Sequence, residues 1–279
     1  MPHDPSHLRD DRALQVTRHD QVAVLALAGP GGKAVMDGRF FDELGAAVAS
    51  LDADPDVRAL VLTGAGPHFS FGLDLAEAQQ TFGPLFGAAG AGPRLELLEL
   101  IRRWQHLVDT VARSRKPTVA AVSGWCVGGG VDLAAACDVR VASADAMFSV
   151  REAKMGIVAD LGSLQRLVGL VGDGHLRELA LTGDDIDAAR AERIGLVNHV
   201  HPDAEAARAG AVELAARMAA NSPLVLRGVK DVLDAERGPR VEAGLRYTAV
   251  WNAAFLVSDD LAGALASFAE RRPPRFTGR

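Results

Sequence analysis

Residues 120–157 read AAVSGWCVGGGVDLAAACDVRVASADAMFSVREAKMGI, and this stretch decides the fold. The apolar run Thr118–Val122 follows Pro117 and has the composition of a short buried strand. It leads through Ser123–Val127 into Gly128–Gly130 and then an Ala-rich segment that continues to Ala136, with Asp132 near its start. Glycines after a strand let the backbone approach a ligand, and a helix start offers unpaired N–H donors at the positive end of its dipole. Such a turn suits an oxyanion or a phosphate; it equally suits tight helix–strand packing with no ligand. It matches neither G-x-x-x-x-G-K-[ST] nor G-x-G-x-x-G, so a nucleotide reading fails at its own motif. After Asp138, Val139–Val141 reads as a further strand.

Upstream, Val22–Leu27 (VAVLAL) is a strand entering the loop Gly29-Pro30-Gly31-Gly32. Phe40, Phe41, Leu44, Val48 and Leu51 recur at helical spacing, and Ala59–Leu62 is a second strand ending at Gly64. A second Gly-bearing turn follows, from Gly64 through Gly72-Leu73-Asp74 to Leu75. Ala78–Pro93 has no period and predicts a long functional loop. Leu97, Leu98, Ile101, Trp104, Val108 and Val111 predict one helix over 94–115. Beyond residue 160 helical patterns dominate: 163–171, 204–220, 223–235, 241–257 and 259–270. The expectation is an α/β core over 14–200, a helical region over 201–279 and a loose polar tail over 1–13.

Composition excludes several classes. The net charge of -6 supplies no basic stripe for a phosphate backbone, so nucleic acid is not expected as a partner. Cys126 and Cys137 form no CxxC and no metal-type pairing with His, which points to a reducing compartment. His19, His106, His175, His199 and His201 read as structural or surface residues. The first residues lack the apolar stretch of a signal peptide, and no run is long enough to span a membrane. Thr277-Gly278-Arg279 is not a peroxisomal tripeptide. A cytoplasmic protein follows, and the 26 arginines against Lys33, Lys116, Lys154 and Lys230 hint at a GC-rich bacterial source.

Three carboxylates lie among apolar neighbours downstream of the second turn: Asp132, Glu152 and Asp160. Such acids have perturbed pKa values, as general acid/base work requires. Structural roles stay open for each. Asp132 would favour a helix N-terminus, Glu152 would pair with Arg151 or Lys154, and Asp160 would cap a helix beginning near Ser163.

Taken together, ALVLTGAGPHFSFGLDL (residues 59–75), the stretch 120–157 and the ending LASFAERRPPRFTGR (residues 265–279) resemble the two oxyanion motifs and closing helix of the crotonase (enoyl-CoA hydratase/isomerase) superfamily. The resemblance runs from about Leu14 to Arg279. It implies a spiral of β-β-α units with a helical C-terminal trimerisation region, acyl-CoA thioester substrates, a homotrimer or hexamer, and no metal or redox cofactor. By position it makes the N–H groups of Leu73 and Gly129 the oxyanion hole. It places Lys33, Phe71, Gly72, Asp74, Leu75 and Gly128 at the substrate.

Asp132, an acid twenty residues on at Glu152, and Asp160 eight further are similar to the Δ3,5-Δ2,4-dienoyl-CoA isomerases of this superfamily, as are GGGVDL, ACDVR and VADLGSLQRL. The resemblance implies Glu152 and Asp160 as the proton-shuttling pair and Asp132 as a buried support. Two rivals are a 2-enoyl-CoA hydratase using Asp132 and Glu152, and a non-catalytic acyl-CoA binder. Two positions depart from the family: Ala34 stands where an Asn is usual, and Phe71 where a small residue precedes the motif glycine.

Overall fold

A computed structural model describes residues 12–29, 33–85, 88 and 90–279. The inner strands of its central sheet are apolar on both faces, whereas the edge strand is exposed along most of its length. Along β1 (Leu14–His19), β2 (Val22–Leu27) and β3 (Ala59–Gly64), the first two strands pair antiparallel and the second two parallel. Every residue of β3 is buried, as a strand covered on both sides requires. The period of two sorts its side chains: Leu60 and Leu62 enter the main core, while Ala59 and Val61 enter a second cluster on the opposite face.

Between these strands α1 (Gly38–Ala53) buries Phe40, Phe41, Leu44, Val48 and Leu51, the predicted stripe, and Asp37 caps it by accepting from the Phe40 N–H at 2.7 Å. After β3 come α2 (Leu75–Phe82) and α3 (Ala91–Ala112). The expected long loop 78–93 is therefore mostly wrong: Asp74 caps α2 through the Ala76 and Glu77 N–H groups, and helix resumes at Ala91. Trp104 of α3 stacks on Phe41, with ring centroids 5.0 Å apart.

β4 (Thr118–Val122), β5 (Trp125–Val127) and α4 (Gly129–Ala136) form one strand–strand–helix unit, and β6 (Val139–Ser143) and β7 (Met147–Ser149) open the next. A 3-10 helix, Glu152–Met155, follows. The expected helix 163–171 is two short ones that meet at Leu167, α5 (Ser163–Arg166) and α6 (Val168–Val171). Then come α7 (Asp173–Thr182), β8 (Ile186–Asp187), α8 (Ala188–Arg193) and β9 (His199–His201). The strands make two sheets, ordered β1-β2-β3-β4-β6-β9 and β5-β7-β8. The mixed α/β architecture with two sheets offset along a repeating strand–strand–helix pattern is the spiral that the resemblance implied.

α9 (Ala204–Ala219) covers the second face of the large sheet with Ala211, Ala215 and Ala219. Alanines four apart line one side of a helix and let it lie close to the strands. α10 (Pro223–Phe255) and α11 (Asp259–Ala269) complete the chain. The predicted interruption between 235 and 241 is absent; α10 runs through Pro239, which removes one hydrogen bond in a largely exposed stretch where water can serve the freed carbonyl. Of the expected tail, residues 1–11 lie outside the described residues. Ala13 belongs to the fold: it is fully buried, and its carbonyl accepts from the Ala28 and Gly29 N–H groups.

Candidate active site

The fold presses the two Gly-bearing turns together. Ser70 bridges to β5, donating from its N–H to Trp125 O at 3.0 Å and accepting from the Val127 N–H at 2.9 Å. On the other side Met36 donates to Gly72 O and accepts from Asp74 N, both at 2.8 Å, while Phe71 donates to Ala34 O. A Cβ on Gly72, whose φ is +79°, would stand 2.8 Å from Val127 O and 3.0 Å from Gly129 N. Only glycine fits there. The backbone on either side of Leu73 is thus pinned, yet the N–H groups of Leu73 and Gly129 donate to no described residue. Gly129 is the first residue of α4, so its N–H also lies at the positive end of that helix.

The three acids converge beside these donors. Glu152 adjoins the second turn: a Cβ on Gly128 would lie 3.2 Å from Glu152 Oε1. Its Oε2 is enclosed and has no hydrogen-bond partner among the described residues. Neither expected cation neutralises it, because Arg151 pairs with Asp185 and Lys154 with Asp184. Burial, and then the charge of Asp132, push Glu152 up to about 8.

Asp132 is 1% exposed and accepts from the Ser163 N–H at the start of α5. Burial raises it to about 6, against the pull of that N–H and of Arg166. Asp160 does not cap α5, whose N-cap Gly162 makes no side-chain bond; the helix N–H goes to Asp132 instead. Asp160 Oδ2 accepts from Asn252 Nδ2 at 2.7 Å, and burial carries its carboxyl to about 7.

A buried acid with a raised pKa weakens the fold when it ionises. The unfolded Glu152 titrates near 4.5 and the folded one near 8, so its favourable contribution is complete below the first value and lost as pH rises through the second. Glu152→Gln cannot ionise. Its melting temperature should match the wild type near pH 5 and exceed it by several degrees at pH 9; differential scanning calorimetry showing a lower value at pH 9 would contradict this placement.

The remaining residues expected at the substrate divide. Gly72, Gly128 and Leu73 sit at the junction of the turns, and Phe71 is 41% exposed with its ring against His68. Lys33 is exposed at the mouth of the Ala34–Met36 segment. The Asp74 carboxylate caps α2, and the half-buried Leu75 packs against the main core. Ala34 holds φ +54°, a conformation that an Asn tolerates better than an Ala, which gives a backbone reason for the residue usual at that place. A cavity of about 360 Å³ opens at Glu152, walled by Val150, Ile157, Ala159, Leu164 and Leu176. Sequence reasoning missed Asn252, Gln105, Ser163 and Arg166. The first two are side-chain amides on distant helices, and nothing in the local pattern ties them to Asp160.

A family model described as Enoyl-CoA hydratase/isomerase matches residues 17–279. The chain belongs to that family. This family member is 41% identical over 271 residues to the mitochondrial Delta(3,5)-Delta(2,4)-dienoyl-CoA isomerase of Dictyostelium discoideum, covering 96% of the chain and 92% of the relative. It is 41% identical over 238 residues to the peroxisomal Delta(3,5)-Delta(2,4)-dienoyl-CoA isomerase of Arabidopsis thaliana, covering 85% and 86%. Its fold superposes with a TM-score of 0.81 on the crystal structure of an enoyl-CoA hydratase from Mycobacterium avium subsp. paratuberculosis K-10, at 26% identity over 95% of this chain and 98% of that one. The names of the two isomerases refer to mitochondria and peroxisomes and lend no support to the cytoplasmic, bacterial placement expected from the sequence. No helix among the described residues is long and apolar enough to cross a membrane.

Proposed function

We propose that this protein isomerises a 3,5-dienoyl-CoA to its 2,4-isomer. The observation that carries the reading is the cluster of three carboxyls, of which Asp132 is buried and Glu152 and Asp160 have no cation partner among the described residues, beside two N–H donors that no described residue uses. The thioester oxygen is held by the N–H groups of Leu73 and Gly129, which favour the charge that develops when C2 loses a proton. Base removal of the C2 proton gives an enolate conjugated with both double bonds. Its electrons move along the conjugated chain, and C6 takes a proton, so the product has the atoms of the substrate and two double bonds displaced by one position. No electron acceptor is needed, and CoA is part of the substrate.

Glu152, beside Gly128 and next to the donor at Gly129, and Asp160 share the two proton transfers: the ionised member of the pair takes the C2 proton and its protonated partner supplies C6. Asp132 has the lowest pKa of the three and a donor of its own, so it ionises first. Its charge pushes Glu152 and Asp160 up, which retains a proton for the pair to exchange. The apolar cavity at Glu152 takes part of the acyl chain.

The test follows two substrates by ultraviolet absorbance. Purified protein should convert a 3,5-dienoyl-CoA to the 2,4-conjugated chromophore much faster than it hydrates a 2-enoyl-CoA. The reverse preference would favour a hydratase, and binding of both esters without turnover a non-catalytic binder.

The chain assembles, in this reading, as a homotrimer or a pair of trimers through its C-terminal helices. Tyr247, Val250, Trp251 and Phe255 of α10 are all more than two-fifths exposed, and the aromatic rings follow one another along one side; Leu245 by contrast is part of the local core. An apolar row of that size on a single chain supports an interface. Analytical ultracentrifugation at micromolar concentration should give a trimer or hexamer, and a monomer would refute the assembly.

A further inference from the structure

We propose that Asn252, on the inner face of α10, is a positioning residue that decides which oxygen of Asp160 carries the transferred proton. The proposal rests on the reading of Asp160 as a proton-transfer group. Asn252 is 1% exposed, and its Nδ2 donates twice, to Val158 O at 2.9 Å and to Asp160 Oδ2 at 2.7 Å. An amide nitrogen only donates. Oδ2 is therefore the accepting oxygen in either protonation state, and when Asp160 is neutral its proton sits on Oδ1. Without this contact the carboxyl could rotate or place its proton on the other oxygen, away from the acyl chain.

The surroundings are arranged to the same end. Gln105 of α3, 6% exposed, donates from Nε2 to the Asp160 carbonyl at 2.7 Å and to Leu245 O at 3.0 Å, so backbone and carboxyl of Asp160 are held from two helices. One turn before Asn252, Thr248 Oγ1 accepts from Gln165 Nε2 at 2.8 Å. Leu245, Thr248 and Asn252 fall on one helical face, which thus carries a buried polar stripe where a plain packing role would be met by apolar residues. Replacing a buried amide by an apolar group of its shape costs little if its partners are removed too. The amide at 252 is explained by the acid it holds. The charge acting on Asp160 is that of Asp132 from α4, and Glu152 from the 3-10 helix feels both Asp132 and Asp160, whereas α3 and α10 present amides to Asp160. Asn252 makes the largest contact that favours the ionised form of Asp160, against burial and the charge of Asp132.

The test uses full-length Asn252→Leu, which keeps the volume and removes the donor, and Asn252→Ser, a smaller change should the first not fold. Two readouts are taken. In steady-state turnover of a 3,5-dienoyl-CoA, kcat should fall roughly tenfold or more with KM little changed, as loss of positioning rather than of binding requires. In isotope-edited infrared spectra of protein labelled with carboxyl-13C aspartate, the band absent from Asp160→Asn should titrate about one pH unit higher in the variants than in the wild type. A packing role alone predicts a lower melting temperature with titration and kcat unmoved, and that result in both variants overturns the proposal. The infrared readout does not depend on turnover. A wild type inactive on dienoyl esters would sink the isomerase reading, while the titration would still report whether Asn252 governs Asp160.

Discussion

Asp160→Asn should lower dienoyl turnover by about 10²–10⁴-fold, the usual range for removing a general acid or base, while leaving the protein folded. Asn at 160 is close in shape, and its side-chain oxygen can still accept from Asn252 Nδ2 as Asp160 Oδ2 does. Capping cannot account for a loss, since α5 receives no bond from Asp160 and its first N–H is taken by Asp132. Two enzymatic readings separate here. A hydratase working through Asp132 and Glu152 gives Asp160 no proton to move, so hydration of a 2-enoyl-CoA would persist in the variant. Steady-state kinetics with both esters distinguishes these outcomes, and dienoyl turnover unaffected by the substitution would remove Asp160 from the mechanism.

Gly129→Pro should cost on the order of 10²–10³ in kcat, because it deletes one of two donors to the developing oxyanion. Gly129 is the first residue of α4, where proline is tolerated and no helical hydrogen bond is lost; the ring carbon that replaces the N–H hydrogen also projects into the oxyanion position, so the donor and its space are lost together. Gly129→Ala is the control. Its added Cβ would meet Met36 Sδ at 3.2 Å, the adaptable thioether of a flexible side chain, and the N–H stays. The alanine variant should therefore retain most of its activity while the proline variant does not. Circular dichroism must show both folded, and a folded proline variant with full activity would mean that Gly129 does not hold the thioester oxygen.

Much of the fold was legible because its central strands are covered on both faces. Val22–Leu27, Ala59–Gly64 and Thr118–Val122 are short apolar runs closed by Gly or Ser, and the structure places each as a strand. β5, β7 and β8 were not legible: each has two or three residues and exists through pairing with segments far along the chain. The sequence divides into helical patterns over 223–235 and 241–257, yet α10 runs on between them through Pro239, since packing of its second half against α3 and α5 does not depend on one lost bond.

The site divides in the same way. Two Gly-bearing turns and three acids can be found by local pattern, but what the acids do is decided by partners the pattern does not contain. Neither adjacent cation reaches Glu152, because Arg151 and Lys154 go to Asp185 and Asp184, 34 and 30 residues on. Asp132, not Asp160, receives the N–H of α5, and Asn252 meets Asp160 across 92 residues of sequence. Such contacts exist only once the helices have packed.

The central claim is a proton shift from C2 to C6 with nothing added to the substrate, and isomerisation in D2O tests it most directly. Wild-type protein is incubated with a 3,5-dienoyl-CoA and the product examined by mass spectrometry and NMR. The account predicts a 2,4-dienoyl ester with no water added and with deuterium entering at C6, to the extent that Glu152 and Asp160 exchange with solvent. A product that has gained the mass of one water, or an unchanged substrate in the presence of folded protein, would contradict it.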